Sequence, residues 1–129
     1  MKIKTGLILC AGFGKRVQPI TDTLPKPLIV YKNVTLLENT INFLIKLKID
    51  KIKINVFYLK DQITSFIKNK NFPVNIEIID DGETILGTGG GILNLIKSSE
   101  EDDVLVINPD TIWDNNYISS INKLSLIHI

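Results

Sequence analysis

The residues best suited to chemistry gather near the start of the chain, in Ala11-Gly12-Phe13-Gly14-Lys15-Arg16, directly after the apolar run Leu7-Ile8-Leu9-Cys10. Closely spaced glycines let backbone N–H groups approach an anion without side-chain interference, and open α/β sheets bind ligands beyond the carboxyl ends of their strands. Gly-x-Gly alone is also ordinary loop punctuation. Two nucleotide motifs fail on spacing: a dinucleotide fingerprint needs a third glycine where Val17 stands, and a Walker loop needs Ser or Thr where Arg16 stands. Arg16 is the only arginine, all other side-chain cations of the chain being lysines. Its planar, permanently charged fork suits bidentate phosphate binding, with Lys15 beside it. Further on, Pro25-Lys26-Pro27 sets Lys26 between prolines that disfavour helix, so its ammonium is a positive charge of limited freedom.

The hydrophobic period switches along the chain between strand-like and helix-like. Leu7–Cys10 is a short apolar run of the kind found in a central strand covered on both faces, and 11–27 is a long Gly/Pro-rich loop. Thr35 and Glu38 stand at capping-box spacing, and Leu37, Ile41, Leu44 and Ile45 share a helical face up to about Lys48. Residues 51–57 alternate Ile52, Ile54 and Val56 with polar neighbours, which predicts a strand with one less-buried face. Ile63, Phe66 and Ile67 mark a short helix, 74–79 a third strand, and 92–96 a helix behind a glycine run. Val104–Ile107 is another apolar strand, ended by Pro109, and Ile118 and Ile121 point to a final helix. This alternation predicts an α/β fold, Rossmann-like and doubly wound, with a mainly parallel sheet.

At 129 residues, with 44% hydrophobic and 22% charged, the chain has room for one domain with a packed core. Its net charge of +1 gives no broad positive field, so neither nucleic acid nor a membrane is expected as a partner. The N-terminal apolar run is too short for a signal peptide and no segment is long enough to span a bilayer. The single cysteine fits a reducing compartment, and the cytoplasm is the expected location. The end reads as cut, with 124–129 a tail foreign to the domain, and the only histidine, His128, is set aside as a catalytic group.

Leu9–Arg16, Pro19-Ile20-Thr21 and Pro25-Lys26-Pro27-Leu28 together resemble the signature of sugar-1-phosphate nucleotidyltransferases. Downstream, Asn55–Ile63 resembles that family's Asn-x-x-Tyr-Leu-x-x-Gln-Ile stretch, Leu86–Gly90 its Leu-Gly-Thr-Ala-Gly element, and Asn108-Pro109-Asp110 its Gly-Asp pair. The resemblance implies attack of a sugar-1-phosphate oxygen on the α-phosphorus of a nucleoside triphosphate, with release of pyrophosphate. Such chemistry rests on positioning and charge neutralisation more than on covalent catalysis.

By the same resemblance Arg16 would hold the departing pyrophosphate and Lys26 would meet the α-phosphate or the sugar phosphate. Ala11, Gly12, Gly14 and Lys15 would line the nucleotide, with Asn55, Thr88 and Gly89 near base and ribose, and Asp110 would ligate Mg2+. Asn55 on an alternating strand also has a solvent-facing reading, and the glycines at 87 and 89–91 could simply make a tight helix entry. Asp80, Asp81 and Glu83 read as a solvated acidic loop. Trp113 either stacks on a sugar or packs the loop after Asp110, and Tyr58 is undecided.

The stretch Leu86–Ile92 and the aromatic after Asp110 are most similar to the N-acetylmuramate-1-phosphate uridylyltransferase branch, with mannose-1-phosphate guanylyltransferases nearly as close. A non-catalytic nucleotide- or sugar-nucleotide-binding module is the competing class, but such a module needs the glycine loop without Arg16 or Asp110. Pro109 departs from the family's small glycine. The family also continues well past this length, its second magnesium aspartate and much of its sugar pocket coming later, so the chain is expected to hold the N-terminal, nucleotide-binding part of one domain.

Overall fold

In the computed structural model, which describes residues 3–82, 87–97, 103–114 and 116–121, the apolar run after the N-terminus forms the central strand β1 (Thr5–Leu9). Along the chain follow a hairpin of β2 (Val30–Tyr31) and β3 (Val34–Thr35), then α1 (Leu36–Lys46), β4 (Lys51–Val56), α2 (Lys60–Lys70), β5 (Asn75–Asp80), α3 (Gly87–Lys97) and β6 (Val104–Ile107). Residues 116–121 are helical, as Ile118 and Ile121 suggested. Glu83, Leu86 and the tail 124–129 with His128 lie outside the described residues.

The main sheet has four strands in the order β5-β4-β1-β6, every pair parallel. The chain starts in the middle, steps outward through β4 and β5, then returns to the other side of β1. That reversal opens a crevice beyond the carboxyl ends of β1 and β6, the place where doubly wound sheets bind ligands. This is the α/β architecture expected from the alternating pattern.

One face of the sheet carries Ile8, Ile52, Ile54 and Val56 and packs against α1 and α2, whose Leu37, Ile41, Leu44 and Ile63 are fully buried. A Cβ on Gly6 would stand 2.9 Å from Leu44 Cδ1, so the bare backbone there lets α1 settle onto β1. Thr35 caps α1 as its spacing predicted, its hydroxyl accepting from Glu38 N–H at 3.0 Å.

The other face departs from expectation. β4 has no less-buried side: Lys53 and Asn55 are only 1% and 2% exposed. α3 covers that face, and the polar groups are met internally, Lys53 Nζ pairing with Glu77 at 3.6 Å. Helical extents differ as well. α2 runs eleven residues rather than a short stretch, and the glycine run lies inside the first turns of α3 rather than ahead of it. The β2–β3 hairpin has no glycine to announce it; Lys32 and Asn33 take φ of 51° and 69°, the left-handed pair that a two-residue hairpin turn needs.

Candidate active site

β1 delivers the chain into the loop 11–28, which folds as successive 3-10 turns at Lys15–Val17, Ile20–Asp22 and Lys26–Leu28. Gly14 has φ of +66°, and a Cβ there would meet Thr21 Cγ2 at 2.8 Å, so glycine is required both by conformation and by space. Thr21 is buried and its hydroxyl donates to Gly14 C=O at 2.7 Å, closing the loop on itself. Among the described residues, the backbone N–H groups of Ala11, Gly12, Phe13 and Gly14 meet no acceptor. Successive N–H groups left open at a strand end can bind an oxyanion where they converge.

The β4–α2 connection braces this loop from the side. Tyr58 donates its hydroxyl to Thr21 C=O at 2.6 Å, and Gln62 Nε2 donates to Thr23 C=O at 2.8 Å. The Phe13 ring packs edge-on against Phe57 and Tyr58, with Lys15 Nζ 5.6 Å from its centroid. Tyr58, undecided from sequence, is therefore a strut of the loop, and Gln62, the Gln of the Asn-x-x-Tyr-Leu-x-x-Gln-Ile stretch, is a second. Asn55 is not solvent-facing. Its Oδ1 accepts from Cys10 N–H at 2.8 Å while its Nδ2 donates to Asp81 at 3.0 Å.

A cavity of about 400 Å³ opens in the crevice between β1 and β6. Ala11, Gly12, Gly14, Lys26, Asn55 and Asp110 all line it, with Cys10, Gly87 and Pro109. Arg16 and Lys15 lie on an adjoining hollow that shares Gly14 and Lys26 with the first. Thr88 and Gly89 belong to the first turn of α3, whose first residue, Gly87, lines the cavity. Across the mouth, Lys26 Nζ lies 3.1 Å from Asp110 Oδ2, side chains 84 residues apart in sequence brought into one ion pair.

The loop carrying Asp110 is anchored on α1. Asn39 Oδ1 accepts from Trp113 N–H, Trp113 Nε1 donates to Asn108 C=O, and the indole stacks on Phe43 at 5.4 Å. Of the alternatives open for Trp113, the packing one holds. The acidic loop is likewise not uniformly solvated. Asp80 is exposed, and the Lys60 ammonium with the Gly82 N–H hold its carboxyl below the usual range, whereas Asp81 is buried. Burial also pushes the Cys10 thiol far above its ordinary value, so it is an inert wall rather than a nucleophile.

A family model for nucleotidyl transferases matches residues 5–125 of this sequence. The chain belongs to the nucleotidyl transferase family. The bifunctional protein GlmU of Methanococcus aeolicus is 36% identical over 120 residues, which is 90% of this chain and 27% of that protein. N-acetylmuramate alpha-1-phosphate uridylyltransferase of Caulobacter vibrioides is 30% identical over 113 residues, 85% of this chain and 47% of that one. The crystal structure of HddC from Yersinia pseudotuberculosis complexed with GMP-PN matches with a TM-score of 0.80 at 27% identity, covering 94% of this chain and 54% of that one. The chain thus spans between about a quarter and about half of these relatives' length.

In this nucleotidyl transferase chain the donors suit a metal that comes with its substrate. Among the described residues no group of three carboxylate, imidazole or thiol ligands gathers. Asp110 is a single carboxylate lining the same cavity as the glycine loop, and Mg2+ is commonly held by one or two carboxylates completed by substrate phosphates and water. No helix among the described residues is long and apolar enough to cross a membrane.

Proposed function

We propose that this chain supplies the nucleotide-binding part of an enzyme that moves a nucleoside monophosphate from a triphosphate to a sugar-1-phosphate. The observation that carries the reading is the Lys26–Asp110 pair, which lines one cavity with Ala11, Gly12 and Gly14 at the switch point of the sheet. The cradle N–H groups hold phosphate oxygens, and Lys26 neutralises charge growing on the α-phosphate as the sugar phosphate oxygen attacks. From the adjoining hollow, Arg16 grips the departing pyrophosphate. Asp110 would hold Mg2+, which would supply positive charge to the phosphates.

Uridylyl transfer to N-acetylmuramate-1-phosphate is the favoured specificity, supported by the likeness to the Caulobacter enzyme. Guanylyl transfer, as to mannose-1-phosphate, is the second reading, supported by the likeness to HddC crystallised with GMP-PN. A non-catalytic binding module has no use for Arg16 and Asp110 together. The cytoplasm suits the lone cysteine and these substrates. Binding of UTP, GTP, CTP and ATP by the chain, each with Mg2+, tests the first half: UTP is expected to bind best, and no binding of any would overturn it. Pyrophosphate release by the full-length protein from a panel of triphosphates and sugar-1-phosphates tests the second; no turnover with any pair sinks the enzyme reading.

A further inference from the structure

Just past β5, Asp81 places a carboxylate inside the protein, 8% exposed, with its own N–H donating to Val56 C=O at 2.9 Å. Its Oδ2 accepts from Asn55 Nδ2 at 3.0 Å and its Oδ1 from Asn94 Nδ2 of α3 at 2.8 Å. Asn55 in turn accepts from Cys10 N–H, at the root of the phosphate loop. We infer that Asp81 is a positioning residue for that loop, joining it to α3 through the Asn55 amide. An ionised carboxylate only accepts hydrogen bonds, whereas an amide can present either end. Asp81 therefore forces Nδ2 of Asn55 toward itself and leaves Oδ1 as the acceptor for Cys10. Turned over, the amide would set N–H against N–H at the point where β1 becomes the loop.

Gly91 bears on this independently. A Cβ there would lie 2.6 Å from Asn55 Nδ2 and 3.6 Å from Asp81 Oδ2, so α3 is stripped of a side chain where it passes the network. The same helix begins at Gly87, which lines the cavity. The network thus sets the spacing between the phosphate cradle and the α3 side of the site, and its consequence for nucleotide rests on the function proposed above.

Amide hydrogen exchange by NMR, with nucleotide titration in parallel, tests it. Asp81→Asn nearly preserves shape but gives the Asn55 amide a partner that can donate or accept. Exchange at Cys10 N–H is expected to rise about tenfold, the equivalent of one hydrogen bond, with Ile8 and Ile54 amides unchanged. Affinity for a magnesium triphosphate is expected to fall by a similar factor. Asn55→Asp alone keeps an acceptor for Cys10 N–H but sets two carboxylates together, and their repulsion is expected to loosen that contact as well. The exchange of partners, Asn55→Asp with Asp81→Asn, rebuilds every hydrogen bond and is expected to return Cys10 exchange close to native. Unchanged Cys10 exchange in Asp81→Asn, uniform loosening of all amides, or a double variant no better than the singles would overturn the inference. So would altered exchange with undiminished triphosphate affinity. If the unaltered chain binds no triphosphate, the proposed function fails, while the exchange pattern still decides the wiring.

Discussion

Replacing Asp110 with asparagine separates a structural role for the Lys26–Asp110 pair from a ligand-binding one. The side chains are 33% and 43% exposed. A pair so open to water contributes about 0.2–1 kcal/mol to folding, so its loss is expected to lower Tm by no more than about 5 °C. The effect on nucleotide reverses sign with the metal. Without Mg2+, the carboxylate repels phosphate and occupies Lys26; removing one charge about 4 Å away is worth about 1 kcal/mol in water, so affinity should rise about fivefold. With Mg2+, the variant loses a charge-assisted contact of about 1.5–3 kcal/mol, and affinity should fall about ten- to a hundredfold. Titration calorimetry at low ionic strength, with EDTA in one series and Mg2+ in the other, reads both. A loss of affinity in both series, or a Tm drop well beyond 5 °C at about 1 kcal/mol, would refute the reasoning.

Arg16→Ala is expected to weaken binding of triphosphate and pyrophosphate about tenfold, by loss of a charged hydrogen bond, while sparing monophosphate; competition binding checks it, and equal losses for all three would remove Arg16 from the leaving-group site. Gly14→Ala combines φ of +66° with a Cβ 2.8 Å from Thr21 Cγ2. The left-handed strain alone costs about 1–2 kcal/mol, so urea unfolding should show at least about 2 kcal/mol lost, and a near-neutral variant would contradict the loop geometry. Burial holds the Cys10 thiol protonated in the fold, while in the unfolded chain it ionises above about pH 8.5. Stability is therefore full below that pH and falls above it by up to about 1.4 kcal/mol per unit; Cys10→Ala should lack this decline, and matching pH profiles would refute it.

The glycine loop stood out as a candidate site because its features are local: glycine spacing, a solitary arginine and a proline-framed lysine announce themselves in a few residues. Asp110 was a candidate from its place after an apolar strand, and only folding brings it to Lys26. What sequence could not supply were partners distant in the chain. The polar residues of β4 alternate as they would facing water, and the pattern cannot distinguish solvent from α3, so Lys53 and Asn55 looked exposed. Asp81 looked solvated for the same reason, since Asn94 and Asn55 reach it only across the sheet face. The packing of Trp113 on Phe43 spans two elements that no periodicity links. The β2–β3 turn was hidden because Lys32 and Asn33 adopt a conformation that glycine usually signals.

The central claim is that the open N–H groups of 11–14, with Lys26 and Asp110, form a triphosphate site. A ¹⁵N-resolved NMR titration with Mg2+ and a non-hydrolysable nucleoside triphosphate tests it most directly. The amides of Ala11, Gly12, Phe13 and Gly14 should shift most and saturate together, with Ile76 and Ile78 of β5 unmoved. Saturable shifts centred elsewhere, or none at the loop, would contradict it.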